Sequence, residues 1–315
     1  MVGSAEIPTP PAQGEPSPPT PDDDGLLAVI ETAPSVQGEP NKRRPGRAGR
    51  NLPAAVAVGV GLGLLVTVPL FSPFRWLFVG VLIAAVSLGT YELVSALRSL
   101  GARPPLSPLL VGGAVMLVLA YSHGAEALYL ALALTVLACV VARLAEPAEG
   151  YLRDVAAAAF PASYVPFRAG FCALLAQGPA GPRRVTVFIA TVVCSDVGGY
   201  AAGVLLGRHP MAPSVSPKKS WEGFGGSLVA CAAAGAALFA TLLGASPLLG
   251  ALYGLAVVGS ATLGDLGESM VKRDIGIKDM GDLLPGHGGV MDRLDSLLPT
   301  APVAWLLLTA FVAVP

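Results

Sequence analysis

Along most of the chain the apolar residues come in long runs. They show neither the narrow stripe of a soluble amphipathic helix nor the alternation of a half-exposed strand. A helix needs roughly 20 predominantly apolar residues to cross the hydrocarbon core of a bilayer. Runs of that order recur nine times, at about 52–72, 74–97, 105–122, 125–143, 154–177, 185–207, 225–245, 248–268 and 296–314. Gly and Pro within them are ordinary for membrane helices, where neighbours re-satisfy the backbone. In the fifth run Pro161, Pro166 and Arg168 are interruptions. The pattern predicts an all-α polytopic integral membrane protein with about nine transmembrane helices. The runs show no internal repeat.

The polar positions are segregated. Residues 1–50 are rich in Pro, Gly, Asp, Glu and Ser and poor in large apolar residues. Such a segment cannot bury enough surface to offset its ordering entropy, so it is expected to be a disordered tail. It has no basic region followed by an apolar one and does not read as a signal peptide. It closes on Lys42, Arg43, Arg44, Arg47 and Arg50, directly before the first apolar run. The expected organisation is a Pro-rich tail over 1–50 and a multi-span catalytic domain over 51–315. The basic cluster reads as a topology signal, with anionic-lipid binding as the alternative. With a cytoplasmic N-terminus, nine spans place nearly every base on the cytoplasmic side. Arg75, Arg183 and Arg184 fall on the other, with Arg168 nominally inside a span. That bias predicts cytoplasm-facing catalytic loops at 208–224 and 269–295, in a bacterial plasma membrane.

Composition sharpens the class. With 53% hydrophobic and only 13% charged residues, a soluble two-domain α/β protein is excluded. The net charge of −1 carries no message about partners because the charges are segregated, and nothing points to nucleic acid. Cys139, Cys172, Cys194 and Cys231 all sit in apolar runs without a close pair. They read as small buried residues, neither a disulfide framework nor a zinc site.

Against this background, residues 269–295 stand out, with five acids, four bases, a histidine and five glycines between two apolar runs. Phosphate chemistry needs that mixture: cations and backbone amides for phosphate oxygens, carboxylates for a divalent metal. Gly286, Gly288 and Gly289 around His287 permit backbone conformations that aim several N–H groups at one anion. Asp292 and Asp295 share a helix face if the last span starts there. Upstream, Asp265, Glu268, Ser269 and Lys272 follow helical spacing along one face leading out of the eighth run. Asp196 lies inside the sixth run, where an acid costs about 2.5–3.5 kcal/mol and so pairs, binds an ion or faces water. In the other loop, Lys218 and Lys219 follow Ser216-Pro217 and precede Glu222 and three glycines that open a helix, a plausible phosphate cradle. Bland readings compete: a structural pair for Asp196, topology charges for the lysines, a solvated connector with capping acids for 269–295.

Ser269, Lys272-Arg273, Lys278-Asp279, Leu284 to Gly289, Asp292-Arg293 and Asp295 together resemble the signature of the phosphatidate cytidylyltransferases, without a gap over 27 residues. Residues 216–223 resemble that family's second motif, with Ser220 where threonine is usual. Asp196, Gly199 and Tyr200 resemble its intramembrane acid motif, with Val197-Gly198-Gly199 as a variant. The resemblance covers roughly 190–296. It implies transfer of CMP from CTP to phosphatidic acid, giving CDP-diacylglycerol and pyrophosphate with Mg²⁺, in a lipid bilayer, with a homodimer left open. By that resemblance Asp292, Asp265 and Asp196 are the candidate metal ligands. Lys272, Arg273, Lys278, Asp279, His287, Asp292, Arg293 and Asp295 are the candidate catalytic residues. Ser216, Lys218, Lys219, Glu222, Ser269, Gly288 and Gly289 would bind substrate. The competing functions are a CTP-using polyprenol or lipid kinase, which would release CDP, and an ion-coupled transporter built on Asp196 and Asp265.

Overall fold

A computed structural model of the chain describes residues 52–281 and 288–312, with backbone alone for 52–58. The expected tail with its basic cluster, and His287, lie outside the described residues. In lipid a backbone must satisfy its own polar groups, so apolar runs become helices. The described helices are α1 (Leu52–Phe71), α2 (Trp76–Ser99), α3 (Leu106–His123), α4 (Ala125–Leu144), α5 (Tyr151–Tyr164) and α6 (Pro166–Leu175). They continue with α7 (Gly181–Leu206), α8 (Trp221–Leu238), α9 (Pro247–Ile275), α10 (Met291–Leu294) and α11 (Leu297–Phe311). A π-helical turn, Phe239–Leu243, extends α8.

Among the described residues seven helices are long and apolar enough to cross a membrane: α2, α3, α4, α7, α8 with its π turn, α9, and α10 with α11. The expectation of nine continuous spans is corrected at one place, the fifth run. The first run is helical over 20 residues, Leu52–Phe71, close to its expected bounds. The fifth is two helices meeting at Val165–Pro166. Pro166 disfavours helical geometry at the residue before it and is well placed at the first position of a new helix.

The connection from α7 to α8 folds into an antiparallel hairpin, β1 (Pro210–Ala212) with β2 (Ser216–Ser220), which the hydrophobic pattern does not predict. Helix α9, at 29 residues, spans about 43 Å, longer than the roughly 30 Å hydrocarbon core. It stops where Gly276 adopts φ +80°. The Gly276 N–H bonds back to Arg273 and the Ile277 N–H to Lys272, closing off the helix carbonyls.

Helices α7 and α8 are in near backbone contact because small residues face each other. A Cβ on Gly199 would lie 2.5 Å from Ser227 Oγ, and one on Gly226 would lie 2.7 Å from the Gly198 carbonyl oxygen. Away from that seam, Arg143 and Asp154 form a buried clasp, Nε to Oδ2 at 2.9 Å. Asp154 Oδ1 also accepts the Arg103 N–H at 2.8 Å, which ties the α2–α3 connection to α4 and α5. Val111, Val229 and Leu263 turn outward and are more than half exposed. Apolar side chains directed outward suit helices surrounded by lipid.

Candidate active site

Ser220 ends β2 and caps α8, its Oγ accepting the Gly223 N–H at 3.1 Å. That cap fixes the preceding lysines against the start of α8. Glu222, in the first turn, accepts the Arg208 and His209 N–H groups at 3.1 and 3.2 Å and contacts His209 Nδ1 at 2.6 Å. It thereby holds the two ends of the hairpin together and does not line the cavity described next.

That cavity, of about 580 Å³, opens between α7, the hairpin, α8 and α9. Lys218, Lys219, Asp196 and Asp265 line its polar part, and Tyr200, Val204, Met211 and Phe224 supply an apolar wall. Lys219 Nζ is ion-paired with Asp265. Asp196 lies near enough for its charge to interact with Asp265 and Lys219. The glycine seam explains the approach: with Gly198 and Gly199 against α8, Asp196 of α7 is drawn toward the hairpin that carries the lysines.

A second cluster adjoins the cavity farther along α9. Lys272 Nζ donates to Asp292 Oδ1 at 2.8 Å and Glu268 Oε1 at 3.2 Å. Asp292 Oδ2 accepts the Met280 and Gly289 N–H groups at 3.0 and 2.9 Å. Gly288, at φ +78°, provides a backbone conformation that L side chains rarely adopt. Glu268 is fully buried, and its Oε2 has no hydrogen-bond partner among the described residues. Ser296 lines the cavity and donates its N–H to Asp295 Oδ1 at 2.6 Å. Asp295 is within electrostatic reach of Asp265 and Asp196.

The two polar loops meet. Besides the Lys219–Asp265 pair, Arg273 Nε donates to the Val215 carbonyl at 3.4 Å, joining the end of α9 to the hairpin turn. Ser269 Oγ donates to Asp265 Oδ1 at 3.4 Å. Ser216 opens β2, while Lys278, Asp279 and Arg293 are exposed beside the signature segment.

Of the three candidate metal ligands, Asp196 and Asp265 line the cavity, where Asp265 also meets Lys219 and Ser269, whereas Asp292 is not part of that lining and is engaged by Lys272 and two backbone N–H groups. No group of three or more His, Cys, Asp or Glu side chains suited to a metal ion occurs among the described residues. Mg²⁺ is commonly held by one or two carboxylates together with water and substrate phosphates. The Asp196–Asp265 pair fits a hard cation bound in that way.

Sequence reasoning missed Glu92. It lies in α2 and is 3% exposed, and its oxygens accept the Val290 and Met291 N–H groups at 3.0 and 2.7 Å. The signal was available: Glu92 is the one acid in an otherwise apolar run, and such residues point to function or pairing.

A bundle of long apolar helices around a cavity lined by lysines and acids defines a membrane protein equipped for an anionic ligand. Residues 53–311 match the model of the Cytidylyltransferase family, and the chain belongs to that family. It is 46% identical to the phosphatidate cytidylyltransferase of Mycobacterium leprae over 281 residues, 84% of this chain and 89% of that protein. It is also 46% identical to the Mycobacterium tuberculosis enzyme of that name over 278 residues, 84% of each chain. A more distant relative, phosphatidate cytidylyltransferase 4 of the Arabidopsis thaliana chloroplast, is 27% identical over 90% of this chain and 79% of its own length.

Proposed function

We propose that the chain is a CTP:phosphatidate cytidylyltransferase, making CDP-diacylglycerol for phospholipid synthesis. The observation that carries the reading is the cavity in which Lys218 and Lys219 of one loop meet Asp196 and Asp265 of two apolar helices. A phosphate oxygen of phosphatidic acid attacks the α-phosphorus of CTP. The new P–O bond forms as the α–β phosphoanhydride bond breaks, and pyrophosphate departs. Both reactants are anions, so catalysis consists mainly of positioning and of neutralising charge.

Lys218 and Lys219 hold phosphate oxygens at the cavity, and Lys272, fixed by Asp292 and Glu268, presents a further cation beside it. Asp196 and Asp265 would hold Mg²⁺, and Asp292 orders the signature segment. The bound ion would screen the phosphates and the charge on the departing pyrophosphate. Asp295, Arg273, Lys278, Asp279, Arg293 and His287 belong to the surroundings of this site, and Ser216, Glu222, Ser269, Gly288 and Gly289 shape its backbone. The lipid enters past the apolar wall of Tyr200, Val204 and Phe224, keeping its acyl chains in the bilayer.

The bias of basic residues supports a cytoplasmic N-terminus and site, nine membrane passages and a bacterial plasma membrane location. Residues 51–315 would form the catalytic membrane domain, with the tail outside it. The test is incubation of purified protein with labelled CTP, phosphatidic acid and Mg²⁺, followed by product identification. CDP-diacylglycerol and pyrophosphate are expected. Phosphorylated lipid with release of CDP would overturn the reading in favour of a kinase.

A further inference from the structure

Glu92 is the only charged residue of α2 before Arg98, and it is 198 residues from the Val290 N–H it binds. An acid within an apolar span is costly and persists where it has donors. Here both carboxyl oxygens have one, the N–H groups of Val290 and Met291. Val290 itself offers no side-chain cap to the helix that begins at Met291, so the cap is supplied from α2.

The surrounding backbone is fitted to this group. A Cβ on Gly281 would lie 2.5 Å from Glu92 Oε1, and one on Gly289 would lie 2.6 Å from Glu92 Oε2. Two positions of the signature segment, Gly281 and Gly289, therefore press against one carboxyl group, and any side chain at either glycine would displace it. Immediately beyond, Gly289 donates to Asp292, and Asp292 holds Lys272. The chain of contacts runs from α2 through the backbone at 289–291 to the ammonium group beside the cavity.

We propose that Glu92 is a positioning residue for the transfer reaction: from α2 it fixes the backbone at Val290–Met291 and so sets Asp292 and Lys272. The role in turnover rests on the cytidylyltransferase reading, whereas the hold on the backbone does not. Glu92 touches no substrate. Its loss misplaces Lys272 without removing Lys218 and Lys219, so it lowers kcat more than it weakens CTP binding.

The test uses full-length protein in detergent or nanodiscs. Glu92→Gln keeps the reach but replaces one acceptor oxygen with an NH₂ donor, which faces an N–H group. Expected are faster amide hydrogen exchange in peptides covering 288–291 and a kcat lower by about 10- to 100-fold. KM for CTP should stay within about threefold of wild type. Glu92→Asp keeps the charge but is one methylene shorter, so it should not restore kcat; full restoration would show that charge alone matters and overturn the proposal. Gly281→Ala, which pushes a methyl group at Oε1, should reproduce the kcat loss, and combining it with Glu92→Gln should give less than the product of the two effects. If Glu92→Gln does not accumulate as folded protein, Gly281→Ala decides: lowered kcat with faster exchange supports the proposal, and wild-type values refute it. Wild-type exchange or wild-type kcat in folded Glu92→Gln refutes it directly. If wild-type protein makes no CDP-diacylglycerol, the functional reading fails, and the exchange measurement still reports whether Glu92 holds the segment.

Discussion

Replacing Asp292 by Asn separates an organising carboxyl group from a metal ligand. Among the described residues the carboxyl group accepts three bonds: from Lys272 at 2.8 Å, from Met280 N–H at 3.0 Å and from Gly289 N–H at 2.9 Å. Asparagine keeps one oxygen, which can go on serving the two backbone donors. Its NH₂ then faces the Lys272 ammonium group, and the bond lost is the charge-assisted one, worth about 1.5–3 kcal/mol. Lys272 retains Glu268 at 3.2 Å, so it is displaced and not released. If the whole loss is felt in the transition state, kcat falls roughly 10- to 150-fold, since each 1.36 kcal/mol is a factor of ten. Because the cation is assigned to Asp196 and Asp265, half-saturating Mg²⁺ should stay within about threefold for Asp292→Asn and rise about tenfold or more for Asp265→Asn. The assay is incorporation of labelled CTP into chloroform-soluble product across a Mg²⁺ titration, with expression and melting temperature matched. An Asp292→Asn variant that recovers wild-type turnover at high Mg²⁺ would refute the reasoning, because a missing ligand can be offset by metal concentration and a misplaced lysine cannot.

Lys219→Met removes a cation at the cavity that is paired with Asp265, so KM for CTP should rise about 10- to 100-fold, read from initial rates at subsaturating CTP. Unchanged KM would detach Lys219 from the nucleotide. Asp154→Ala leaves the buried guanidinium of Arg143 without its carboxylate and should cost about 3 kcal/mol, seen as a lowered melting temperature with unchanged turnover of the folded fraction. A chain beginning at Lys42 keeps the basic cluster and should turn over normally in detergent. A loss of rate in that folded, shortened chain would give the tail a part in the site. Glycerol 3-phosphate should be a far poorer acceptor than phosphatidic acid, and equal rates would remove the membrane from substrate choice.

The helices were legible because an apolar run in lipid has little choice but to become one. Pro161, Pro166 and Arg168 mark the fifth run as irregular, but its hydropathy reads as one span and does not place the break at Val165–Pro166. The hairpin was not legible either, because its short strands carry prolines and lysines and bury little, so no period of two appears. At the site, helical spacing correctly put Asp265, Glu268, Ser269 and Lys272 on one helix, yet spacing cannot assign partners. Asp265 turns to Lys219, and Glu268 and Lys272 turn to each other. Asp292 and Asp295, alike by position, also diverge: one gathers Lys272 and two backbone amides, the other accepts from Ser296. Glu92 was passed over because its partner is a backbone 198 residues away, a relation that local pattern does not carry.

That separation also has a meaning in time. At about 5–20 residues per second, synthesis needs roughly 10–40 s to travel from Glu92 to the amides that satisfy it. Throughout that interval α2 has been made but the segment that caps its acid has not, so water, headgroups or other early helices must meet the carboxyl group. A chain halted before Val290 never acquires these two donors, so its Glu92 carboxyl group stays without them inside α2. The same contact that seats the last segments at the site thus distinguishes a finished chain from an unfinished one.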